Sequence, residues 1–279
     1  MLFSRNYPPS PALAPYIRRH YVFAAELPED FSLVDKLLSE NVFVRILIRG
    51  DWKAEVAPGQ WEAAGPVVLF GANAKPMPVS VNGPFTVAGF AIRPSGWRSL
   101  NEAPARDFSD RMLPLQEVWG DLADKLWSEV SHCPDDDVIV AAMETMISAQ
   151  LKKIGLFAPA PQMARFETIA RTDSMRKVED AADELSLSVR QLERRCLVSF
   201  GLSPKVILRR SRFLDMATAM RGFSSPNERV LAGLRYFDQS HLTREFKHFL
   251  GVTPRQFRLS STPLFTAGLK LRHEGKTLA

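Results

Sequence analysis

Apolar and polar positions along residues 41–92 follow the short spacing that is typical of β-strands. Residues 41–48 are rich in β-branched side chains and have the length of a strand. Turn-forming pairs such as Pro58-Gly59 and Gly65-Pro66 separate this run from later short apolar runs. Strands at this spacing predict a small barrel or sandwich. The later runs are residues 52–56, 67–70, 78–81 and 85–92.

The period of the apolar positions changes to a helical one after residue 96. Residues 115–130 carry a helical stripe, and residues 138–154 carry a second one. From residue 163 to about residue 258 the apolar positions indicate helices alone. Residues 157–162 contain two prolines and are the best candidate for a linker. The pattern predicts an α+β chain, in which a β-rich part with trailing helices precedes an all-helical part.

Two segments of the helical part share one plan. In the first, residues 178–185 form a short helix, Ser186-Leu187 a tight turn and residues 188–200 a second helix, with Ser188 as its N-cap. In the second, the short helix is 229–234, the turn 235–238 and the second helix 239–250. A helix, a tight turn and a second helix with one polar face form a helix-turn-helix, whose second helix enters the major groove of DNA. Residues 203–222 predict a linking helix that holds the two units apart.

Charge is distributed unevenly along the chain, which has a net charge of +5. Residues 1–164 contain 15 Lys and Arg against 19 Asp and Glu, whereas residues 165–260 contain 18 against 11. In the second range 15 of the 18 cations are arginines, which suit phosphate and guanine edges better than lysines do. An acidic part joined to a basic part is expected when one domain meets a polyanion.

The helical part resembles the carboxy-terminal domain of the AraC/XylS transcription regulators. The runs SVRQLERRCLVSFGLSP (188–204) and YFDQSHLTREFKHFLGVTPRQFR (236–258) carry this resemblance. The runs FAIRPSGWRSL (90–100) and PARDFSDRMLPLQEVWGD (104–121) resemble the sensing domain of one branch of the same family. The resemblance implies a cupin-like β-barrel with trailing helices over 1–157, a tandem helix-turn-helix domain over 163–260, and a tail over 261–279 outside the match.

The resemblance also implies which residues meet DNA. Base-facing positions lie on both second helices, and two neighbouring positions are expected to meet phosphates. Arg pairs with guanine, Gln with adenine, and Glu accepts a hydrogen bond from cytosine. The base-facing positions are Arg190, Glu193 and Arg194 in the first helix and Gln239, Ser240, Thr243 and Arg244 in the second; the phosphate positions are Gln191 and Lys247, and Ser188 opens the first helix.

The chain departs from the family pattern at the turns. Arg235 and Ser186 stand where the family usually has Gly, and Val230-Leu231 stands where Ile-Ala is usual. A left-handed turn costs a non-glycine residue on the order of 1 kcal/mol. An alternative therefore stays open, in which the second unit has decayed and the protein is a scaffold or a partner-titrating antagonist without gene control.

The first part of the chain contains candidates for a small-molecule site. Arg45 alternates with Phe43 and Leu47 and so shares their face of the strand. If that face is interior, a buried unpaired charge requires a carboxylate partner or an acidic ligand; if it is exterior, nothing follows. The candidate ligand-binding residues are Arg45, Trp52, Phe90 and Trp97, and the alternative is that these aromatics are plain barrel core.

Other function classes lack support in the sequence. The two cysteines, Cys133 and Cys196, do not make a disulfide scaffold, and His20 is the one histidine before residue 132, which argues against a metal-holding barrel. Nucleotide-binding and hydrolase motifs are missing, so no cofactor and no enzyme activity are expected, although catalysis in the first domain stays as a rival hypothesis. The expected partners are double-stranded DNA, an unknown small-molecule effector, RNA polymerase and a second copy of the chain. We expect no membrane contact and a cytoplasmic location.

Overall fold

A computed structural model describes residues 2–133, 135–155, 157–224 and 239–277. The amino-terminal part forms one eight-stranded antiparallel sheet in the order β1-β2-β7-β4-β6-β8, with β3 paired to β7 and β5 paired to β4. The strands are β1 (Leu2–Tyr7), β2 (Ile17–Ala25), β3 (Ser32–Leu37), β4 (Phe43–Ala57), β5 (Gln60–Glu62), β6 (Val67–Phe70), β7 (Met77–Ile92) and β8 (Met112–Pro114).

The two central strands are longer than the sequence predicts. The predicted strands 41–48 and 52–56 are one strand, β4, and 78–81 and 85–92 are one strand, β7. Gly50 lies within β4 at a φ of 93°, where the pairing register with β7 shifts. A Cβ atom at Gly50 would lie 2.5 Å from the carbonyl oxygen of Pro84, so glycine permits this irregularity within the strand.

Both faces of the sheet are buried. Val44 and Ile46 point into the cluster that contains Phe90 and Trp119. Trp52 and the other side chains of the opposite face form a second cluster with residues of β2, β6 and β7. Because successive side chains of a strand alternate between faces, Arg45 lies on this second face.

Eleven α-helices are described among the residues that the structure covers. They are α1 (Trp97–Leu100), α2 (Gln116–Trp119), α3 (Asp121–Val130), α4 (Asp136–Ile154), α5 (Pro161–Thr172), α6 (Val178–Glu184), α7 (Val189–Ser199), α8 (Pro204–Met220), α9 (Gln239–Leu250), α10 (Pro254–Leu259) and α11 (Pro263–Thr277). Short 3₁₀ turns at Pro94–Gly96 and Ala105–Phe108 flank α1.

The order of elements confirms the α+β fold class, with an antiparallel sheet followed by helices and then by an all-helical region. The stripe predicted over 115–130 is divided into α2 and α3 at Gly120, whose φ is 62°. The predicted linking helix is α8, with Ser203 at its N-cap and Pro204 in its first turn. The tail, for which the sequence suggested no structure, forms α11.

Two sequence predictions concern residues that the structure does not describe: the short helix at 229–234 and the turn at 235–238, with Arg235, lie outside the described residues. None of the helices described elsewhere in the chain combines the length and the apolar character that a membrane crossing requires.

Candidate nucleic-acid interface and ligand cavity

The turn between α6 and α7 is a tight helix termination. Ser186 has a φ of 54°, and its N–H donates to the carbonyl of Asp183. The N–H of Leu187 reaches back to the carbonyl of Ala182 at 2.9 Å. These two bonds are those of a Schellman motif, in which the residue with positive φ is usually glycine. The left-handed residue explains why the family favours glycine where this chain has Ser186.

A capping box begins α7 immediately after this turn. The Ser188 hydroxyl accepts a hydrogen bond from the Gln191 N–H, and the Gln191 side chain accepts one from the Ser188 N–H at 2.8 Å. Two otherwise unsatisfied N–H groups are thereby bonded, which fixes the first turn of the helix. Ser188 thus has the N-cap position that the sequence predicts.

The two faces of α7 differ sharply in burial. Leu192 and Cys196 are fully buried and Phe200 nearly so, as their four-residue spacing predicts. The opposite face is exposed and polar, and with Leu197 it lines one shallow surface groove. The exposed groove residues are Ser188, Arg190, Gln191, Glu193 and Arg194.

The same division holds in α9. Phe246, Phe249 and Leu250 are buried against neighbouring helices. The hydroxyl of half-buried Thr243 donates to the backbone carbonyl of Gln239 at 2.8 Å, so this hydroxyl is already engaged within the helix. The remaining candidate positions are exposed: Gln239, Ser240, Arg244 and Lys247.

Helix α8 connects the two exposed faces. It has 17 residues, about 25 Å at 1.5 Å per residue. Arg209 of α8 forms a two-pronged ion pair with Glu245 of α9, with N–O distances of 2.7 to 3.0 Å. Phe213 of α8 packs on the rings of Phe246 and Phe249 with centroids about 5 Å apart. These contacts fix α9 on the linking helix.

A cavity of about 190 Å³ lies between the Arg45 face of the sheet and α11. The sheet contributes Phe43, Arg45 and Trp52 to its wall, and α11 contributes Leu264 and Phe265. The Arg45 guanidinium carbon lies 5.1 Å from the centroid of the Trp52 ring and 5.3 Å from that of the Phe70 ring. Burial lowers the pKa of Arg45 to about 10, so the side chain stays charged at neutral pH.

Two of the four predicted ligand-binding residues come together here, and two do not. Arg45 and Trp52 share the cavity wall, whereas Phe90 and Trp97 lie in the cluster on the other face of the sheet. Phe90 stacks on Trp119 at 5.8 Å, and the Trp97 indole N–H donates to the carbonyl of Ala103 at 2.8 Å. Phe90 and Trp97 therefore do not face Arg45.

A buried ionic network joins the cavity wall to α8. Glu40, which follows β3, forms ion pairs with Arg272 of α11 and, at 3.5 Å, with Arg171 of α5. Arg210 of α8 donates to the Glu40 carbonyl at 2.6 Å. Burial alone would raise the pKa of Glu40, but Arg272, Arg171 and Arg210 together lower it far below its ordinary value. Arg272 also donates to Asp215 of α8.

Comparisons with known proteins agree with the geometry of the helical region. A family model described as a helix-turn-helix domain matches residues 181–260. The carboxy-terminal part of this chain is an AraC-type helix-turn-helix domain. The chain is therefore a DNA-binding transcription regulator. A second model, described as a domain of unknown function (DUF6597), matches residues 5–114 of the regulator. A search of curated proteins with the whole chain found no match.

Several solved structures are similar to the regulator at low identity. The 1.65 Å structure of ToxT from Vibrio cholerae is 13% identical with a TM-score of 0.48, and covers 86% of this chain and 97% of that one. Wild-type ToxT from Vibrio cholerae strain SCE256 bound to an unsaturated fatty acid is 15% identical with a TM-score of 0.47, covering 86% and 95%. The AraC-like transcriptional activator CuxR is 13% identical with a TM-score of 0.29, covering 76% and 85%.

Sequence reasoning missed the ionic network of the regulator. Glu40, Arg171 and Arg272 are separated by more than 100 residues at each step, and no local pattern connects them. The one available signal in the sequence was the position of Arg272, which stands in an otherwise apolar helical stripe of the tail. Arg272 is only 3% exposed, and this burial results from the packing of α11 against the rest of the protein, which the local sequence does not show.

Proposed function

We propose that this regulator reads a two-part DNA sequence, with α7 and α9 entering two successive major grooves. The observation that carries the proposal is the pair of exposed polar faces on α7 and α9, two helices that both pack against α8. Successive major-groove faces on one side of B-DNA lie about 34 Å apart. A single chain can then contact both without a second copy.

The proposed contacts divide into those that read bases and those that hold the backbone. Arg190, Glu193 and Arg194 of α7 would meet base edges, as would Gln239, Ser240, Thr243 and Arg244 of α9. Gln191 and Lys247 would meet phosphates, which supply affinity and register but no sequence information. The side chain of Gln191 also serves the capping box, so its amide NH₂ group is the part that remains available to DNA.

Control by a small molecule is the second part of the proposal. The cavity beside Arg45 supports it, because this cavity is lined by the sheet domain on one side and reaches the helical region through α11. Bound effector would shift an equilibrium between states with different DNA or polymerase contacts. The proposed partners are double-stranded DNA, RNA polymerase, the effector and, for cooperative sites, a second copy. The proposed role is binding without catalysis, in the cytoplasm.

The test is retention of sheared genomic DNA by the full-length protein at about physiological salt, followed by sequencing. Arg194→Ala and Arg244→Ala are compared with the wild type and with Arg106→Ala, which removes an exposed charge from the sheet domain. We expect a two-part motif that both helix variants lose and the control keeps. A half-motif sensitive to Arg194 alone would mean a decayed second unit, and no enrichment under any condition would overturn the proposal.

A further inference from the structure

The donors around Arg45 lack acceptors. Within the described residues, no group accepts a hydrogen bond from any of the three guanidinium nitrogens of Arg45 or from the indole nitrogen of Trp52. Arg45 is 2% exposed and Trp52 5% exposed, so bulk water does not solvate them. A buried charge without partners is costly, and the neighbouring rings of Trp52 and Phe70 compensate only part of that cost. These buried donors therefore form a site whose hydrogen bonds an anionic group would satisfy.

The acidic side chain of the described cavity wall is already engaged in ion pairs. Glu40 is the one acidic residue among the described residues that line the cavity, and its oxygens are bonded to Arg272 and Arg171. Arg18 and Arg19 line the same cavity; Arg18 pairs with Glu167, and Arg19 donates to the carbonyl of Leu271. The wall thus presents a surplus of positive charge that is concentrated at Arg45.

Apolar side chains also line the cavity, and the cavity is small. Phe23, Phe43, Val87 and Leu264 face the cavity around Arg45. Its volume of about 190 Å³ slightly exceeds the 150 Å³ or so of an apolar cavity that holds benzene. A molecule that fits has room for one ring or a short alkyl chain and one anionic group.

From this arrangement we infer that the cavity binds a small monocarboxylic acid, whose carboxylate accepts hydrogen bonds from Arg45 and Trp52 and whose hydrocarbon part fills the space beneath α11. A guanidinium and a carboxylate form a strong, charge-assisted and often two-pronged pair. All three guanidinium nitrogens of Arg45 lack acceptors among the described residues, whereas Arg18 and Arg19 each have a partner, so a ligand with one carboxylate suits this wall.

The position of α11 connects this site to the helices that hold DNA. Leu264 belongs to the apolar cluster of the sheet, while Phe265 and Leu269 belong to the cluster formed by α8, α9 and α10. The N–H groups of Leu264 and Phe265 both donate to Asp35 of β3, at 2.8 and 3.2 Å. A ligand beneath α11 therefore contacts the helix that bridges both parts. This role in control rests on the proposed function, whereas binding of the acid does not.

Calorimetric titration of the full-length protein tests the inference, with benzoate and hexanoate as ligands and benzamide and hexanamide as neutral controls. We expect the acids to bind at least tenfold or so more tightly than the amides. Arg45→Met should abolish this preference, while Arg49→Met, on an exposed position of the same strand, should keep it. If Arg45 is a ligand-binding group, the methionine variant without ligand should be at least as stable as the wild type, because an unpaired buried charge is removed.

Three outcomes would overturn the inference: no acid binding up to roughly 10 mM, equal binding of acids and amides, or unchanged acid binding by Arg45→Met. If that variant does not fold, Ala267→Leu provides a second test. The larger side chain fills the cavity from α11 and should weaken the binding of benzoate. Hydrogen exchange of the Leu264 and Phe265 amides should slow with benzoate, and no change there would remove α11 from the site. None of these measurements uses DNA, so their failure leaves the DNA-retention result standing.

Discussion

Arg272 of the last helix donates a 2.8 Å hydrogen bond to Asp215 of the helix that links α7 to α9. Both side chains are buried, with exposures of 3% and 7%. The same guanidinium contacts Glu40 beside β3, so one arginine bridges the sheet region and the linking helix. Because a buried ion pair tolerates loss of one partner poorly, this bridge constrains how α8 lies against the sheet.

The free energy of unfolding should decrease at acidic pH because Glu40 becomes protonated. Its pKa is lower in the folded chain than in the unfolded chain, so its contribution is complete above about pH 5 and is lost as the pH falls. Glu40→Gln should cost about 3–5 kcal/mol at pH 7, because it strands buried arginines, and should flatten the loss of stability below pH 5. Urea denaturation between pH 3 and pH 7 measures both effects. Exposed Glu117→Gln is the control, and a parallel acid limb in the two variants would contradict the assignment.

Replacement of the turn residue Ser186 by glycine should stabilise the protein. Its φ of 54° costs a non-glycine residue about 1–2 kcal/mol, whereas glycine adds about 0.5–1 kcal/mol of unfolded-state entropy. Ser186→Gly should therefore raise the free energy of unfolding by up to about 1 kcal/mol. Chemical denaturation measures this difference. A less stable glycine variant would show that the Ser186 side chain stabilises the turn by more than its strain costs.

Two glycines should respond in opposite ways to alanine. A Cβ at Gly89 would lie 2.0 Å from the Val44 carbonyl oxygen and 2.5 Å from the Tyr21 hydroxyl, which donates to that carbonyl. Gly89→Ala should cost about 1–3 kcal/mol or more. At Gly268 a Cβ would meet no atom within 4 Å, so Gly268→Ala should gain up to about 1 kcal/mol of helix propensity. Thermal denaturation of both variants checks the pair, and equal effects would refute the packing argument.

Lys247 and Arg194 should differ in how they affect DNA binding. Loss of a phosphate contact at Lys247→Ala should lower the slope of log affinity against log salt by about 1 and leave sequence preference intact. Loss of a base contact at Arg194→Ala should cost about 1–3 kcal/mol on the retained motif and relax the preference. Titrations at several salt concentrations on the motif and on a scrambled duplex separate the two. A sequence-specific effect of Lys247→Ala would move that residue to the base-reading set.

Local patterns predicted the elements whose signals are contiguous in the chain. Ser188 with its cap and the buried stripe of Leu192 and Cys196 lie within one helix, so sequence sufficed for α7. The sequence could not show on which face of the sheet Arg45 lies. Both faces are buried, so the alternation of side chains along the strand does not distinguish one face from the other. Likewise α11 has few local signals, and its burial depends on β3 and α8, which are more than 40 residues away.

The placement of Phe265 and Leu269 has a practical consequence for anyone who expresses part of this protein. The helix-turn-helix match ends at residue 260, yet these two side chains complete the apolar cluster around Phe213 and Phe246. A fragment cut at the boundary of the match would expose that cluster to solvent and would be prone to aggregate. The segment that must fold together is thus larger than the segment that meets DNA, and a well-behaved fragment needs to extend through residue 277.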